Sequence, residues 1–230
     1  MHSLTFLLNR AKQIRQTEGL KPLISRASTF ILHLFFVYQT YYLYAEYTRD
    51  LPDIREADFM PKTDDFTPKV VTSNEEADEL EAQGLEFRST IPNARKRLDS
   101  GAIAMCIFVG RELANIGWFA MSQEAKDSLG EPPYRVDFSN RESVVGGLWT
   151  NPRYRRLGLR VYNRYMSLRR ALDNEIEVRR AAYAKRNLPA IKGRASFYHQ
   201  PYAEGRYLKI LWWKSWKEKP LTHANSISQG

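Results

Sequence analysis

The sequence predicts an α+β fold: a mixed central sheet with both faces covered by helices, preceded by a helical segment. Short apolar runs such as Ile103–Val109 are typical of buried strands, and amphipathic stretches of helical spacing lie between them. The order of strands and helices along the chain is mixed rather than strictly alternating. With 43% hydrophobic and 27% charged residues, the composition excludes a disordered or collagen-like chain.

Residues 1–49 are predicted to form an N-terminal helical segment. Leu4–Gln16 has apolar residues at helical spacing, and its basic residues lie largely elsewhere on the turn. Ala27–Ala45 contains no Lys, Arg, Asp or Glu, and we expect a second, tyrosine-rich helix there. We expect the two helices to pack on the main domain or on a second copy of the chain, which would make a homodimer. The alternatives are that residues 1–48 lie on an anionic membrane surface, or that the second helix spans a membrane.

Residues 50–68 contain three prolines and several acids, which predicts an irregular linker. The main domain is expected over residues 69–220, with a flexible tail at 221–230. Its first helix can be capped by Ser73 or Asn74, with Glu76 completing a capping box. The predicted elements are, in order, strand Lys69–Thr72, a helix ending at Gln83, helix Ile91–Ser100, strands Ile103–Val109, Leu113–Ala120, Tyr134–Phe138 and Glu142–Thr150, the long helix Arg155–Asp173, strand Glu177–Tyr183, the short helix Pro189–Ala195 and a hairpin around Gly205.

The positive charge is concentrated in the last third of the chain. The whole chain carries +9, whereas residues 152–219 contain 18 basic and 5 acidic residues. That segment alone therefore carries +13, and the rest of the chain carries −4. Such asymmetry indicates one basic surface for an anionic partner, such as phosphate, nucleic acid or lipid, with a merely solvated basic face as the alternative.

Several kinds of chemistry have no support in the sequence. Cys106 is the single cysteine and the four histidines are scattered, so we expect no metal site. One cysteine forms no internal disulfide, and the default prediction is a cytoplasmic protein. The patterns G-x-x-x-x-G-K-[ST] and G-x-S-x-G do not occur, which gives no support to a nucleotide triphosphatase or a serine hydrolase.

The most informative stretch is residues 144–172, where an apolar strand meets a basic turn and then a long helix. A helix N-terminus presents unsatisfied N–H groups and the positive end of the helix dipole, and Gly158 lets the backbone approach an anion closely. The arginines around this turn are Arg153, Arg155, Arg156 and Arg160. These features indicate a phosphate site, with a solvated basic helix cap as the alternative.

Thr150, Pro152, Tyr154, Arg155 and Gly158 fall in order on the pattern V-x-P-x-Y-R-x-x-G-x-G/A, between a strand and a helix. In this arrangement the chain resembles the acyl-coenzyme-A signature of the GNAT superfamily of N-acetyltransferases. The resemblance implies a mostly antiparallel central sheet flanked by helices, with acetyl-coenzyme A as co-substrate. The coenzyme-binding residues that it implies are Leu148, Trp149 and Thr150 for the pantetheine arm, Arg155, Arg156, Leu157, Gly158, Leu159 and Arg160 for the pyrophosphate, and Asn187 from the second half of the fold.

Two positions in this stretch have more than one interpretation. Gly146-Gly147 fits the strand bulge with which members of the superfamily splay the sheet, and it also fits a simple twist of the strand. Arg160 stands where the pattern has a small residue. Its side chain either reaches a phosphate from outside or obstructs the site.

In the superfamily the acceptor amine attacks the thioester directly, helped by a carboxylate or a water as base and in some members by a tyrosine as acid. The candidate bases are Asp137 and Glu142, on or beside the strands that face the expected cleft. The candidate acids are Tyr183 and Tyr198. For each carboxylate, a surface or turn role is the alternative.

These observations, with the resemblance to the superfamily, predict an acyl-coenzyme-A-dependent N-acyltransferase that acetylates a primary amine. The N-terminal extension also resembles that of proteins from bacterial surface-polysaccharide clusters, which implies an amino sugar or a similar envelope precursor as the acceptor. The enzyme would be cytoplasmic, or peripheral on the inner face of the membrane. One alternative is an aminoacyl-tRNA-dependent transferase, whose basic surface would hold the RNA backbone; the first interpretation needs no nucleic acid. The other is a catalytically degenerate binding module at a membrane or a partner surface.

Overall fold

The computed structural model of the chain describes residues 36–51, 53–195 and 200–221. They belong to two compact units: a larger one drawn from Tyr41–Gly205 and Glu218–Gly230, and a smaller one drawn from Met1–Thr40 and Arg206–Lys217. The predicted helix Leu4–Gln16 and residues 222–230 of the predicted tail lie outside the described residues.

The described residues form eight strands, five α-helices and four single turns of 3-10 helix. The strands are β1 (Phe36–Tyr47), β2 (Thr67–Val71), β3 (Ile103–Val109), β4 (Glu112–Ala120), β5 (Glu142–Thr150), β6 (Val178–Ala184), β7 (Ala203–Ile210) and β8 (Trp213–Pro220). The helices are α1 (Asn74–Ala82), α2 (Ala94–Asp99), α3 (Gln123–Ser128), α4 (Leu159–Asp173) and α5 (Leu188–Ala195). The 3-10 turns are Thr48–Asp50, Glu56–Phe59, Phe138–Asn140 and Pro152–Tyr154.

The larger unit is built on a sheet whose strands follow the order β2-β3-β4-β5-β6-β1. Each neighbouring pair runs antiparallel except β5 and β6, which are parallel. Helix α4, which connects these two parallel strands, packs on β3 and β4. The predicted α+β fold, with a mixed and mostly antiparallel sheet, is confirmed.

Strand β3 lies at the centre of the core. Its residues Ile103, Met105 and Ile107 belong to one apolar cluster with Leu159 and Met166 of α4. The residues between them are equally buried. Protein therefore covers both faces of the strand, which explains why this apolar run shows no alternation with polar residues.

The tyrosine-rich helix predicted over Ala27–Ala45 is wrong from Phe36 onward, because Phe36–Tyr47 forms strand β1. Residues 27–35 of that prediction lie outside the described residues. From Tyr41 onward β1 pairs with β6, with Tyr41 opposite Ala184 and Tyr47 opposite Val178. Val, Thr, Phe and Tyr favour a half-buried strand, and the missing charges reflect that position in the sheet rather than a membrane helix. Among the described residues, no helix is both long and apolar enough to cross a bilayer.

Two other predicted elements also differ. Tyr134–Phe138 is irregular rather than a strand, and the Tyr134 carbonyl accepts a hydrogen bond from the Lys126 ammonium at 2.7 Å. The prolines just before it lack the N–H groups that a strand ladder needs. The C-terminal hairpin turns at residues 211–212, not around Gly205, which lies buried within β7.

A buried carboxylate connects β1 to its neighbours in the larger unit. Glu46 is 3% exposed and accepts hydrogen bonds from Arg164 of α4 and from Arg179 of β6, the latter at 2.7 Å. Arg179 also donates to the Ser167 hydroxyl at 2.6 Å. A single carboxylate therefore pairs with two guanidinium groups, and one of them, that of Arg179, is fully buried.

Glu46→Ala is expected to lower the free energy of unfolding by about 3–5 kcal/mol, because it leaves the buried charge of Arg179 without its carboxylate partner. The control is Asp173→Ala, which removes an exposed pair with Arg169 and should cost less than about 0.5 kcal/mol. Urea unfolding followed by tryptophan fluorescence measures both variants. A loss at Glu46 as small as that of the control would contradict the assignment.

Candidate functional site

A cleft of about 700 Å³ opens in the larger unit between β5 and β6. The two strands pair only over Glu142–Val144, opposite Val178–Arg180. Beyond these residues the cleft is lined by Val145–Thr150 on one side and by Ala182–Ala184 on the other. Helix α4 lines it as well, through Arg160 and Arg164 among others.

A bulge in β5 accompanies this separation. The pairing of β4 with β5 shifts register between Ile116 and Trp118, opposite the glycine pair. Gly147 has a φ of +56°, and a Cβ atom there would lie 2.8 Å from Cδ1 of the Trp118 ring. Glycine is therefore required here by both backbone conformation and space, and the bulge predicted at Gly146-Gly147 is confirmed.

The bulge makes room for the carboxyl group of Glu131. A Cβ atom on Gly146 would lie 2.0 Å from Oε1 of Glu131, so only glycine is compatible with the carboxyl group in this position. The Gly147 amide donates a hydrogen bond to the same carboxyl group. Glu131 lines the cleft at this point.

Burial raises the pKa of Glu131 to about 7, against the opposing effects of the Lys126 charge, the Gly147 amide and the Arg97 charge. Loss of hydration disfavours the ionised form, and nearby cations restore part of its stability. Near neutral pH this carboxyl group is therefore balanced between its acid and its base forms. A carboxyl group with this property in a cleft is a candidate for proton transfer.

Two cations lie near Glu131. Lys126, on α3, is 1% exposed, and its ammonium lies 4.5 Å from the centre of the Tyr134 ring. Arg97, on α2, lies over the Trp118 ring at 5.1 Å. Burial lowers the pKa of both side chains. The carboxyl group thus lies in a partly desolvated environment of positive charge.

Basic side chains also line the cleft. Arg155 and Arg160 line it, and α4 begins at Leu159 after Gly158, which has a φ of +81°. The Arg160 guanidinium donates to the Ala190 carbonyl of α5 at 3.1 Å. Its side chain is therefore held at the wall of the cleft, where it can reach an anion.

The turn before α4 is fixed by the predicted linker. The Leu157 carbonyl accepts a hydrogen bond from the Lys62 amide at 2.8 Å. A Cβ atom on Gly158 would lie 3.4 Å from Cα of Pro61, so the two backbones are close together. Arg156, at a φ of +69°, lies in this turn. The predicted phosphate-binding turn therefore has a defined shape.

The predicted pantetheine and C-terminal positions also lie at the cleft. Leu148, Trp149 and Thr150 line it from β5. The side-chain NH2 group of Asn115 donates hydrogen bonds to the Trp149 carbonyl at 3.0 Å and to the Thr150 hydroxyl at 2.7 Å. These bonds hold the end of β5 in place. Asn187 lines the cleft too, and its side-chain oxygen accepts from the Ala190 amide at 3.3 Å, at the start of α5.

The predicted catalytic residues have different surroundings. Tyr183 lines the cleft, with its ring edge-to-face with Tyr44 at 5.8 Å. Glu142 forms an ion pair with Arg180 and accepts the Asp137 amide at 2.8 Å. Neither of the two predicted bases, Asp137 and Glu142, is among the described residues that line the cleft. Tyr198 lies outside the described residues.

Asp137 has a local role in its turn. Its carboxylate accepts the Ser139 hydroxyl at 2.5 Å and the Asn140 amide at 2.9 Å. The Ser139 hydrogen bond is the main reason that the pKa of Asp137 is lowered. A carboxylate stabilised in this way is a weaker base than Glu131.

Glu131 was missed because it lies in a loop that the sequence leaves undefined. The only local signal was a carboxylate between Gly130 and Pro132-Pro133, where the backbone has little freedom.

Among the described residues, no group of three or more His, Cys, Asp or Glu side chains could hold a metal ion.

Comparison with known proteins finds similarity among solved structures. No family model matches the sequence, and no curated protein matches it. A functionally unknown conserved protein from Staphylococcus epidermidis is 13% identical with a TM-score of 0.48, over 83% of this chain and 68% of that one. A Drosophila protein is 14% identical with a TM-score of 0.44, over 83% of this chain and 58% of that one.

A third solved structure comes from Kribbella flavida. It is 15% identical with a TM-score of 0.42, over 80% of this chain and 63% of that one. That protein is a GCN5-related N-acetyltransferase.

Proposed function

We propose that this protein is an acyl-coenzyme-A-dependent N-acyltransferase that acetylates a primary amine, with Glu131 as the general base. The observation that carries the proposal is a carboxyl group with a pKa of about 7, placed at the strand bulge of a cleft that arginines also line. A primary amine is the proposed acceptor because a base with a pKa of about 7 can take the proton of an ammonium group that is bound beside it. An amino sugar remains the acceptor that the sequence resemblance suggests.

The donor would be acetyl-coenzyme A, which supplies a thioester at the bulge. Arg155 and Arg160 are the proposed partners of its phosphates, together with the N–H groups at the start of α4. Residues 148–150 of β5 border the cleft beyond the segment that pairs with β6. Their backbone is proposed to pair with the amide groups of the pantetheine arm.

The acceptor amine must lose a proton before it can attack, because an ammonium group has no free electron pair. In our proposal Glu131 takes that proton, and its pKa of about 7 suits a base that works near neutral pH. The amine nitrogen then forms a bond to the acyl carbon, and the bond between carbon and sulfur breaks. Tyr183 is the proposed donor of the proton that the departing thiolate takes up, and the new amide nitrogen gives its surplus proton to the tyrosinate that this leaves.

Glu131→Gln is expected to lower kcat/KM by about a hundredfold or more, because the amide accepts no proton. The matched control is Asp137→Asn, at a predicted base outside the cleft, which should keep nearly full activity. Release of coenzyme A from acetyl-coenzyme A, with a panel of amines and amino sugars, measures both. In the unaltered protein kcat/KM should fall below about pH 7 as Glu131 takes up a proton, and Glu131→Gln should lose this dependence.

The reverse pattern, with Asp137→Asn inactive and Glu131→Gln active, would show that the base is Asp137 and would overturn the assignment of Glu131. Thermal unfolding with and without acetyl-coenzyme A serves as the check on folding and donor binding. Both variants should retain the stabilisation that the donor gives to the unaltered protein.

Arg155→Ala is expected to weaken the binding of acetyl-coenzyme A about tenfold or more, through loss of a charged hydrogen-bond donor to phosphate. A ligand at about a hundred times its dissociation constant adds roughly 2.7 kcal/mol of stability, and a tenfold loss of affinity halves that gain. The control is Arg153→Ala, whose exposed guanidinium pairs with Glu112 at 2.8 Å. The shift in the thermal midpoint with acetyl-coenzyme A measures both variants.

Equal shifts in the two arginine variants would contradict the phosphate assignment. If the unaltered protein shows no shift at millimolar acetyl-coenzyme A, the donor proposal fails. A non-catalytic binding module would then be the better interpretation.

A further inference from the structure

The turn between β7 and β8 exposes an apolar tip, formed by Ile210, Leu211, Trp212 and Trp213 and called the hairpin tip below. Trp212 is 86% exposed and Trp213 is 53% exposed. Ile210 and Leu211 are also exposed. Large apolar side chains are thus exposed at four consecutive positions, and exposed apolar surface of this kind commonly marks an interaction site.

The backbone of the hairpin tip is unfavourable for the residues that it carries. Leu211 has a φ of +56°, and two-residue hairpin turns normally place Asn, Asp or Gly at such positions. A bulky residue in the left-handed region is a genuine outlier, because its Cβ atom is crowded against the backbone. Leu211 and Trp212 thus occupy turn positions where Asn, Asp or Gly would be more favourable, and they expose apolar surface there. Unfavourable backbone of this kind is common where a surface serves binding.

The charge around the tip has one sign. Residues 206–217 contain Arg206, Lys209, Lys214 and Lys217 and no Asp or Glu, which gives the segment a charge of +4. Lys214 and Lys217 are exposed, and Lys209 is partly exposed. Lys209 and Lys214 directly flank the four apolar residues.

We propose that the hairpin tip docks on an anionic lipid bilayer, with Trp212 and Trp213 at the membrane interface and Lys209 and Lys214 at the lipid phosphates. Tryptophan prefers the interfacial layer, where its ring is apolar and its N–H group still finds a partner. Lysines close to an anionic surface add electrostatic attraction. This proposal does not depend on the proposed catalysis.

The shape of the tip favours lipid over the other anionic or apolar partners. The hairpin tip consists of four consecutive exposed residues around a two-residue turn, which makes a small edge rather than a groove or a broad face. A fluid interface adapts to such an edge. Single-stranded nucleic acid is usually held in a positively charged groove in which bases stack on aromatic rings, and a second copy of the chain would have to offer a complementary groove.

The first experiment places a probe at the tip of the full chain. Cys106 is fully buried, so a cysteine introduced by Trp212→Cys can be labelled selectively with an environment-sensitive fluorophore. Vesicles of phosphatidylcholine and phosphatidylglycerol should increase and blue-shift its emission, and vesicles of phosphatidylcholine alone should do so much less. The control label at Lys96→Cys, an exposed position on α2, should not respond.

The second experiment measures vesicle binding by co-sedimentation without a label. At about fivefold per lysine, Lys209→Ser with Lys214→Ser should weaken binding to the anionic vesicles about 30-fold. Trp212→Ser with Trp213→Ser should weaken it about tenfold or more. The control is Arg95→Ser with Lys96→Ser, which removes the same charge from α2 and should change binding less than about twofold.

Three results would overturn the proposal. The unaltered chain could fail to bind anionic vesicles at low salt. It could bind them equally well with both tip variants, which would place the contact on another segment such as residues 1–48. Alternatively, the tip variants could abolish RNA binding or self-association and leave vesicle binding unchanged.

Discussion

The separation of β5 from β6 after three paired residues is the constraint on which the rest of the site depends. Two parallel strands normally continue their ladder, and here the bulge at Gly146-Gly147 accompanies its end. The gap exposes backbone along one wall of the cleft and brings the carboxyl group of Glu131 into the space that the missing Cβ of Gly146 leaves. The geometry of β5 and the position of the Glu131 carboxyl group therefore have the same origin.

The charged groups of the larger unit serve two purposes that oppose each other energetically. Glu46 offsets the charges of Arg164 and Arg179 and stabilises the fold. Glu131 has the opposite effect. Because burial raises its pKa above that of an unfolded chain, the folded protein binds this proton more tightly, and the contribution of Glu131 to stability falls as the pH rises from about 4 to about 7. Keeping this carboxyl group in the cleft thus costs stability, as is common at functional sites.

The sequence predicted those elements whose pattern is local. The apolar run of β3, the capping Ser73, and the succession of β5, basic turn and α4 all depend on neighbouring residues, and the structure has each of them. The glycine pair predicted the bulge for the same reason. Over Phe36–Ala45 the absence of Lys, Arg, Asp and Glu favours a helix in the prediction, although the strand-forming side chains there indicate the opposite.

What the sequence could not predict depends on contacts between distant segments. The surroundings of the Glu131 carboxyl group are formed by Gly146 and Gly147 on β5 and by Lys126 and Arg97 on two helices. No spacing along the chain records that arrangement, because loop conformation decides it. Glu142 was a reasonable candidate by position, but its pairing with Arg180 across the β5–β6 ladder is visible only in three dimensions.

The most direct test is a carbon-13 NMR titration of the Glu131 carboxyl group in the full chain, with its resonance assigned by its loss in Glu131→Gln. We expect a midpoint at about pH 7, and a higher midpoint in Lys126→Met, because the lysine charge favours the ionised carboxylate. The readout needs neither a substrate nor activity. A midpoint near the ordinary glutamate value of about 4.3 would contradict the assignment of Glu131 as the base.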